Sequence, residues 1–339
     1  MLKLGAGDET AENMGKLLLA ADYRGHLSHG LNRLEMYIRD VQAKTCDPLA
    51  KPTILKESPA TAWVDGNNTL GGNVGTFCMN IAIKKAREVG VGWVSCRGSN
   101  HNGIAGYYSM MASDQGLLGM AFTNTSPLVA SNRGKKGFIG TNPISLAAPG
   151  KEDDSFVLDM ATSAVAVGKI ELQRRKGEPI PNGWAKDQNG ENTTDPTAAM
   201  KSPALYPLGG EESSSGYKGM GLGMLVEIFC GILGGSLWGP NVRPWMNTTD
   251  IANFGQCYIA IDPNCFAPDF PDRLQDLMNA TRSQEPAEAN KPVLVAGDPE
   301  RAHMKRVDSD GGITYNINQI TNCQKLAEEL GVEPMRAIN

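Results

Sequence analysis

His29, Arg33 and Tyr37 recur four residues apart in the stretch SHGLNRLEMY. If this stretch is helical, the spacing places all three side chains on one face. There the Arg33 guanidinium can bind a carboxylate through two parallel hydrogen bonds, His29 can exchange a proton near neutral pH, and Tyr37 can donate a further hydrogen bond. The pattern predicts a site for a small carboxylate. The alternative is an ordinary surface helix on which Arg33 and Tyr37 stack in solvent.

A second candidate for proton transfer is His101, one of only four histidines in the chain. It lies in the motif SNHNG, between a buried strand predicted over residues 91–96 and a helical run over residues 104–112. Loops at the carboxyl ends of strands in α/β sheets are where ligands usually bind. Glycines at 98, 103 and 106 allow close approach of the backbone there. We therefore expect His101 to belong to the site.

Bulk properties exclude several functional classes. The chain has 339 residues, an apolar content of 41% and a net charge of -5 without a large Lys/Arg cluster, which argues against nucleic acid as the main partner. Its seven cysteines lack any Cys-x-x-Cys spacing and no histidine pair has metal-binding spacing, so we expect neither a disulfide framework nor a metal site. The cysteines favour a reducing, cytoplasmic location.

Apolar periodicity predicts where the elements lie. Met14, Leu17, Leu18 and Ala21 recur at helical spacing and predict a first helix, and a second helical stretch is expected over residues 32–43. From about residue 60 onward, short strand-like runs alternate with helical ones, which predicts a sheet with helices packed on it.

The second half of the chain has three further segments of note. Residues 178–212 are rich in Pro, Gly, Asn, Asp and Ser and are interpreted as a long, irregular, lid-like excursion. The apolar run 218–234 contains Glu227 and several glycines, which favours a buried helix over a membrane span. Strands are expected at residues 257–261 and 292–296.

The sequence lacks the usual signatures of nucleotide binding. No Gly-x-Gly-x-x-Gly turn follows a predicted strand and no Gly-x-x-x-x-Gly-Lys-Ser/Thr loop occurs, so neither a standard Rossmann site nor a P-loop is expected. Four other loops combine backbone donors with polar side chains, at residues 123–127, 140–143, 159–163 and 215–219. The last precedes a helix, where free amides and Lys218 can hold a phosphate. Each loop taken singly is more often a turn or a cap.

Six motifs occur in a fixed order along the chain: SHGxNR (28–33), SNHNG leading to AGYY (99–108), GTNPI (140–144), DMATS with GKIE (159–171), IPxGWAxD (180–187), and PLGG with YKG (207–219). In this ordered set the chain resembles the malate/L-lactate dehydrogenase family that lacks a Rossmann fold. Relatives in that family include sulfolactate, ureidoglycolate and diketogulonate dehydrogenases and cyclic imino-acid reductases. The resemblance extends over nearly the whole chain.

The resemblance implies an α/β fold of mixed (α+β) class, with a largely antiparallel mixed sheet flanked by helices that binds NAD or NADP in a non-Rossmann manner. Residues 59–269 are expected to form the cofactor domain. A smaller helical domain made from both chain ends, residues 1–58 and 270–339, is expected to bind substrate and a second subunit. Family members usually have another helical stretch before the segment LLAADYRG, which here is preceded by a shorter stretch, and we expect this to weaken the first domain and its subunit contact.

The resemblance also implies roles for the residues singled out above. Arg33 is expected to bind the substrate carboxylate with help from Tyr37 and Ser28. His101 and His29 are the two candidates for proton transfer. We favour His101 as the acid/base at the C2 oxygen and His29 as a substrate-binding or relay group.

Cofactor contacts are expected from ten residues: Thr125, Ser126, Asp159, Met160, Ala161, Tyr217, Lys218, Gly297, Asp298 and Pro299. Asp187 is a weaker candidate for the substrate side, and an aspartate that merely forms a turn is an equal alternative.

The resemblance therefore predicts an NAD(P)-dependent dehydrogenase that transfers a hydride between the nicotinamide and C2 of a small 2-hydroxy or 2-oxo acid of the malate or lactate type. The expected partners are this small molecule and a second copy of the chain, not nucleic acid or a membrane. Two alternatives stay open: a cyclic imino-acid (ketimine) reductase with the same carboxylate site, and a non-catalytic protein that retains the fold. The presence of His29, Arg33, His101 and Lys218 argues against the second.

Overall fold

The structure, a computed structural model, describes residues 1–245 and 247–336. Its strands are β1 Thr53–Glu57, β2 Thr61–Asp65, β3 Val91–Ser99, β4 Leu118–Thr123, β5 Val129–Ala130, β6 Gly137–Ile139, β7 Ile144–Pro149, β8 Ser155–Met160, β9 Ala185–Lys186, β10 Asn192–Thr193, β11 Ala204–Leu205 and β12 Phe254–Ile261. Seven of them form the main sheet, in the order β1-β2-β3-β12-β4-β7-β8. The other five form a small sheet in the order β10-β9-β11-β5-β6.

The main sheet is mixed and largely antiparallel, which confirms the predicted fold class. β2 and β3 run parallel, and the other neighbouring pairs of the main sheet run antiparallel. Such a sheet lacks the row of parallel strand ends between which Rossmann proteins bind dinucleotides. The topology of the sheet therefore agrees with the absence of the Gly-x-Gly-x-x-Gly motif from the sequence.

Helices cover both faces of the main sheet. They are α1 Asp8–Tyr23, α2 Leu34–Gln42, α3 Gly71–Val89, α4 Ala105–Ser113, α5 Val167–Lys176, α6 Pro196–Lys201, α7 Gly216–Glu227, α8 Phe270–Arg282, α9 Asp298–Asp310 and α10 Ile317–Leu330. α3 and α4 pack on one face and α1 packs on α3, which buries Leu17 and Ala21 as the first helical pattern predicts. On the other face, α7 and the π-helical turn Ile228–Ile232 pack over Phe122 and Cys257.

Residues 178–212 are not the irregular excursion that their composition predicts. They form β9, β10, β11 and α6, and their apolar side chains share a second core cluster with Ile139 and Ile170. The Lys186 ammonium donates to the carbonyl oxygens of residues 132 and 134, at 2.9 and 2.7 Å, and so ties β9 to the loop before β6. The sequence does not predict these three strands, because each has two residues and is too short to show an alternating apolar pattern.

One further expectation is wrong and another holds only in part. Residues 292–296 form no strand, although the carbonyl of Ala296 accepts a hydrogen bond from the N–H of Val157 in β8. The apolar run 218–234 is helical, but only one of its faces is buried. Val226, Glu227 and Cys230 lie on the buried face. Met224, Ile228 and Ile232 are each at least half exposed, at 50%, 52% and 57%. Among the described residues, no helix combines the length and the apolar character needed to cross a membrane.

The two ends of the chain contact each other directly. The carboxylate of Asp22 in α1 accepts a hydrogen bond of 2.7 Å from the Tyr315 hydroxyl, and Arg39 in α2 forms an ion pair with Glu329 in α10. These contacts are those that the predicted discontinuous domain requires, but the division into domains stays a prediction. Residues 337–339 of that domain lie outside the described residues.

An ion-pair cluster attaches α8 and α9 to the end of the main sheet. Arg282 places one Nη 2.6 Å from Asp154, next to β8, and the other 2.7 Å from Asp298 in α9. Arg301 lies 2.6 Å from the same Asp298 carboxylate. Hydrogen bonds from Arg282 lower the pKa of Asp154 to about 2.

Arg282→Ala should lower the free energy of unfolding at pH 7 by about 1–2 kcal/mol, because two carboxylates lose charged hydrogen-bond donors. The pKa of Asp154 is lower in the folded protein than in the unfolded chain, where it is about 4. The stabilisation is therefore complete above that unfolded value and is lost as the pH falls towards 2. Urea unfolding at pH 7 and pH 3 should show the full difference between wild type and variant at pH 7 and about half of it at pH 3.

Lys151→Ala is the matched control, because Lys151 pairs with Asp272 at the other end of α8 and both side chains are about half exposed, at 52% and 53%. Such exposed pairs contribute roughly 0–1 kcal/mol. A loss for Arg282→Ala no larger than that for Lys151→Ala, or one independent of pH, would contradict the stabilising role of the cluster.

Candidate active site

The stretch SHGLNRLEMY is a turn followed by two helical pieces rather than one helix. A 3₁₀ turn spans Leu31–Arg33 and α2 follows it, so His29 lies in the preceding turn. The expectation that His29 shares one helix face with Tyr37 is wrong. The physical reason is Gly30, whose backbone is not helical and where a Cβ would lie 1.8 Å from a carboxylate oxygen of Asp22.

The side chains nevertheless meet around His101. The Tyr37 hydroxyl lies 2.7 Å from Nδ1 of His101, and the His29 ring stacks on the His101 ring with 5.8 Å between centroids. The indole of Trp245 lies on another side, 6.1 Å away between centroids. Tyr37, which the resemblance places at the substrate carboxylate, is thus a hydrogen-bond partner of His101 in this structure.

Burial dominates the protonation of this cluster. It lowers the pKa of His29 to about 4, with a further contribution from the positive charge of Arg33. Burial, with the charges of His29, Arg33 and Arg243, also lowers the pKa of His101 well below its ordinary value. The pKa of Tyr37 is raised by burial. At pH 7 both imidazoles are therefore neutral and the phenol keeps its proton.

Arg33 has hydrogen-bonding capacity to spare. Its Nε donates to the carbonyl oxygen of Ser28 at 2.6 Å, and its guanidinium carbon lies 5.1 Å from the centre of the Trp245 ring. No carboxylate among the described residues forms an ion pair with it. Both Nη groups are therefore available for a bidentate contact with a ligand carboxylate.

A cavity of about 240 Å³ opens at these side chains. This is below the range of about 300–1,000 Å³ typical of sites for drug-sized molecules and suits a small acid. Ser28, His29 and Tyr37 are not part of its wall. A wider surface depression of about 470 Å³ beside Arg97 contains none of the predicted site residues. The wall of the smaller cavity includes Arg33, Arg39, His101, Ser126, Arg243 and Trp245.

The loop that contains Thr125 and Ser126 is held by a buried carboxylate. Glu227, in α7, accepts hydrogen bonds of 3.1 Å from the side-chain amides of Asn124 and Asn142. Asn142 in turn accepts a hydrogen bond from the N–H of Thr125, also at 3.1 Å. α7 thus fixes two of the predicted cofactor loops. Sequence reasoning gave Glu227 no such role.

Asp159 joins the DMATS loop to the loop of His101. Its carboxylate accepts a hydrogen bond of 2.8 Å from the N–H of Gly106 in the first turn of α4. A Cβ at position 106 would lie 2.6 Å from the same oxygen, so the contact requires glycine. Burial raises the pKa of Asp159 to about 6. Met160 and Ala161 follow it at the end of β8 and are partly exposed.

Of the ten predicted cofactor residues, all of which the structure describes, Ser126 alone lies on the wall of the cavity. Tyr217 and Lys218 are exposed in the first turn of α7, with the Lys218 ammonium 6.0 Å from the centre of the Tyr217 ring. Gly297, Asp298 and Pro299 begin α9, where Asp298 belongs to the ion-pair cluster described above.

Asp187 lies in the turn between β9 and β10. Its carboxylate accepts hydrogen bonds from the backbone N–H groups of Asn189 and Glu191, at 2.8 and 3.0 Å. This is the arrangement of a turn-forming aspartate. A role on the substrate side stays a prediction.

Sequence reasoning missed Asp40, Arg243 and Trp245. Arg243 forms a bidentate ion pair with Asp40, at 2.7 and 3.2 Å, in which the two side chains are only 8% and 6% exposed. The signal available in the sequence was a tryptophan beside an arginine and a proline in a polar segment between the apolar helix and β12.

A buried polar network fixes the loop of His101 from β12. Gln256 donates to the carbonyl of Asn100 at 2.9 Å, and Asn102 donates to the Tyr258 hydroxyl at 2.9 Å. The residues on either side of His101 are therefore both anchored. The loop is positioned by the centre of the main sheet.

The sequence profile of a family described as malate/L-lactate dehydrogenase matches residues 1–323 of the chain. The chain belongs to this family. The malate dehydrogenase of Pyrococcus horikoshii is 38% identical over 337 residues, which cover 98% of this chain and 92% of the relative. A solved structure of malate dehydrogenase from that organism has a TM-score of 0.90 at 36% identity, covering 98% and 92% of the two chains.

Two other proteins similar to this chain are named for other substrates. The L-sulfolactate dehydrogenase of Methanocaldococcus jannaschii is 38% identical over 333 residues, with 97% of this chain and 93% of the relative covered. The solved delta1-piperideine-2-carboxylate reductase of Pseudomonas syringae has a TM-score of 0.85 at 27% identity, covering 96% and 95% of the chains. The homology over most of the chain shows that this protein is a hydroxy acid dehydrogenase.

Proposed function

We propose that this dehydrogenase oxidises a small 2-hydroxy acid of the malate or lactate type to the 2-oxo acid, and catalyses the reverse reduction, with NAD or NADP. The observation that carries the proposal is that Arg33, with both Nη groups free, and His101 line the same small cavity. The names of the malate and sulfolactate dehydrogenases among the relatives support this substrate class.

In this proposal Arg33 binds the substrate and His101 transfers the proton. Arg33 binds the substrate carboxylate and so directs C2 and its oxygen towards His101. Nδ1 of His101 lies 2.7 Å from the Tyr37 hydroxyl and also faces the N–H of Gly103 at 3.3 Å. In the tautomer in which Nδ1 gives up the longer contact and donates its hydrogen to the oxygen of Tyr37, Nε2 is free to accept the proton of the substrate hydroxyl. In the reduction, the protonated ring returns this proton to the 2-oxo oxygen. His29 does not line the cavity, which supports His101 as the acid/base.

The polar loops fit a nicotinamide dinucleotide. Lys218 is exposed beside the amide end of α7, and no carboxylate of the described chain pairs with it, so it suits a phosphate. The bound nicotinamide supplies or accepts the hydride at C2. Contacts from Thr125 and Ser126, from Asp159 to Ala161, and from Tyr217 belong to the same proposal. Contacts from residues 297–299 stay a prediction, because Asp298 is already engaged by two arginines.

A cyclic imino-acid reductase is the second candidate function. The observation that favours it is the structural similarity to the reductase of Pseudomonas syringae. Such a substrate offers the same carboxylate to Arg33 and differs in having a C=N group in place of the C=O group. A direct comparison of substrates separates the two functions.

We expect oxidation of NADH or NADPH with 2-oxo acids such as oxaloacetate and pyruvate, and much slower oxidation with delta1-piperideine-2-carboxylate. The measurement is the fall in absorbance of the reduced cofactor across this panel, with and without a chelator. Turnover of the cyclic imine alone would replace the proposed function with the second candidate. No turnover of any substrate, together with no cofactor binding in a titration, would contradict both candidate functions.

The two histidines are separated by their variants. His101→Ala should lower kcat by about 10²–10⁴-fold because the acid/base is lost, whereas His29→Ala should chiefly raise KM. The lowered pKa of His101 means that the base is neutral at pH 7 and becomes protonated only on acidification. For oxidation, kcat/KM of the wild type should therefore stay constant near pH 7 and fall only at a pH well below the ordinary histidine pKa of 6.5, and His101→Ala should lack this acid limb. If His29→Ala loses both turnover and the fall of kcat/KM at low pH while His101→Ala keeps both, His29 is the acid/base and His101 is not.

We also propose that the protein is a homodimer. The apolar face of α7 and its π-helical turn is exposed, and faces of this kind mark interaction sites. A second copy of the chain is the partner expected from the resemblance. The face consists of Leu222, Met224, Leu225, Ile228, Ile232 and Leu233.

A cytoplasmic location stays a prediction. It rests on the seven cysteines, which are free thiols in the structure.

Ile228→Glu should convert the dimer to a monomer, because burying the new carboxylate in an apolar interface is costly. Light scattering coupled to size-exclusion chromatography measures the mass directly. Leu277→Glu is the control, since Leu277 is 64% exposed on α8, away from this face. A monomeric wild type, or a variant that stays dimeric, would count against this face as the interface.

A further inference from the structure

We propose that Trp245 is a positioning residue of the active site: its indole orients the Arg33 guanidinium and shields one side of the His101 ring from water. The ion pair between Arg243 and Asp40 holds the indole in this place. The kinetic part of this inference rests on the proposed function. The structural part does not.

Two contacts fix the plane of the Arg33 guanidinium. Its Nε donates to the Ser28 carbonyl at 2.6 Å, and its Cζ lies 5.1 Å from the centre of the Trp245 ring. The hydrogen bond alone leaves the guanidinium free to turn about the Nε–O direction. The face of the indole removes this freedom through a cation–π contact and leaves both Nη groups available. Bidentate binding of a carboxylate depends on that plane.

The same indole closes one side of the His101 environment. The titratable and charged groups that face His101 from the first segment are His29, Arg33 and Tyr37. From the segment before β12 it is faced by Arg243, with the uncharged ring of Trp245 at 6.1 Å between centroids. Replacing Trp245 by another uncharged residue alters no charge around His101. A rise in the pKa of His101 would therefore report the loss of the indole, because entering water and a displaced Arg33 guanidinium would both raise this pKa.

The anchor of the indole lies two residues away. Arg243 reaches Asp40 in α2 with two hydrogen bonds, and it also donates to the carbonyl of Asp250 at 3.0 Å. Because both side chains of the pair are nearly inaccessible, each charge depends on the other for compensation. The pair therefore fixes the segment that contains Trp245 against the helix that follows Arg33.

The structural test is an NMR titration of the histidine ring protons in the whole protein. Only four histidines are present, so the His101 signals can be assigned with one variant, His101→Gln. In the wild type His101 should titrate below the ordinary value of 6.5. In Trp245→Leu the pKa of His101 should rise towards that value by about half a unit or more, as water enters. In Trp245→Phe, which keeps an aromatic ring, it should move much less. An unmoved titration in Trp245→Leu would overturn the shielding role.

The kinetic test separates positioning from stability. Trp245→Leu should raise KM for the preferred 2-oxo acid about tenfold or more with a smaller change in kcat, because a freely turning guanidinium binds the carboxylate less well. Trp245→Phe should restore most of the loss. A phenylalanine variant no better than the leucine variant, or a KM unchanged in both, would overturn the orienting role. If the wild type turns over no substrate, the proposed function fails, and the titration still decides the structural part.

Trp63→Phe is the matched control. Trp63 in β2 forms a cation–π contact with Arg97 at the same distance, 5.1 Å, outside the cavity wall. This variant should leave both KM and the His101 titration at their wild-type values, whatever it does to stability. Changes equal to those of Trp245→Leu would show a general loss of structure instead of positioning.

Arg243→Lys tests the anchor. Lysine keeps a positive charge beside Asp40, so the buried carboxylate stays compensated, but it cannot form the bidentate contact that fixes the segment. The His101 titration and KM should both shift in the direction seen for Trp245→Leu, by a smaller amount. Wild-type values for both would remove the ion pair from the proposal.

Discussion

A polar loop can occupy the interior of this protein only because its amides find partners there. The cost of leaving a buried donor or acceptor unpaired is about 1–3 kcal/mol for each group. Around His101 two side chains of β12, Gln256 and Tyr258, avoid much of this cost by hydrogen-bonding to Asn100 and Asn102, although Oδ1 of Asn100 has no partner among the described residues. The position of the imidazole is therefore set by the central strand of the main sheet.

The helices follow from the same constraint. α3 begins at Gly71, where a Cβ would lie 2.2 Å from the carbonyl oxygen of Asn100, so the helix approaches the loop as closely as its backbone allows. α4 begins directly after the loop and directs the N–H of Gly106 at Asp159. In this way the proton-transfer candidate and one of the proposed cofactor loops share a support.

The sequence predicts those parts of the site whose partners are near in the chain or whose pattern is strong. The strand, loop and helix around His101 are recoverable from apolar runs and glycines. The interpretation of residues 28–37 as one helix fails because the backbone at Gly30 packs directly against the carboxylate of Asp22, which accepts a hydrogen bond from the N–H of Leu31 at 2.8 Å. Residue spacing does not express this tertiary contact. Arg243 was missed because its partner, Asp40, is 203 residues away in the chain. The prediction that the helix over residues 218–234 is buried fails for its apolar outer face for a related reason. The sequence of an apolar face is the same whether other parts of the chain cover that face or leave it exposed.

The place of β12 has a consequence for how the protein is made. β3 and β4 are synthesised well before residue 254, yet they do not pair with each other, since β12 lies between them. Until that strand has left the ribosome, the sheet exists as two parts, each with an unpaired edge, and such edges invite pairing with other chains. α3 and α4, which lie between β2 and β4 in sequence, can cover the faces of these parts but not their edges. We therefore expect the nascent chain to be prone to aggregation through this interval. A stop before residue 254 would leave a product without the strand that holds the loop of His101.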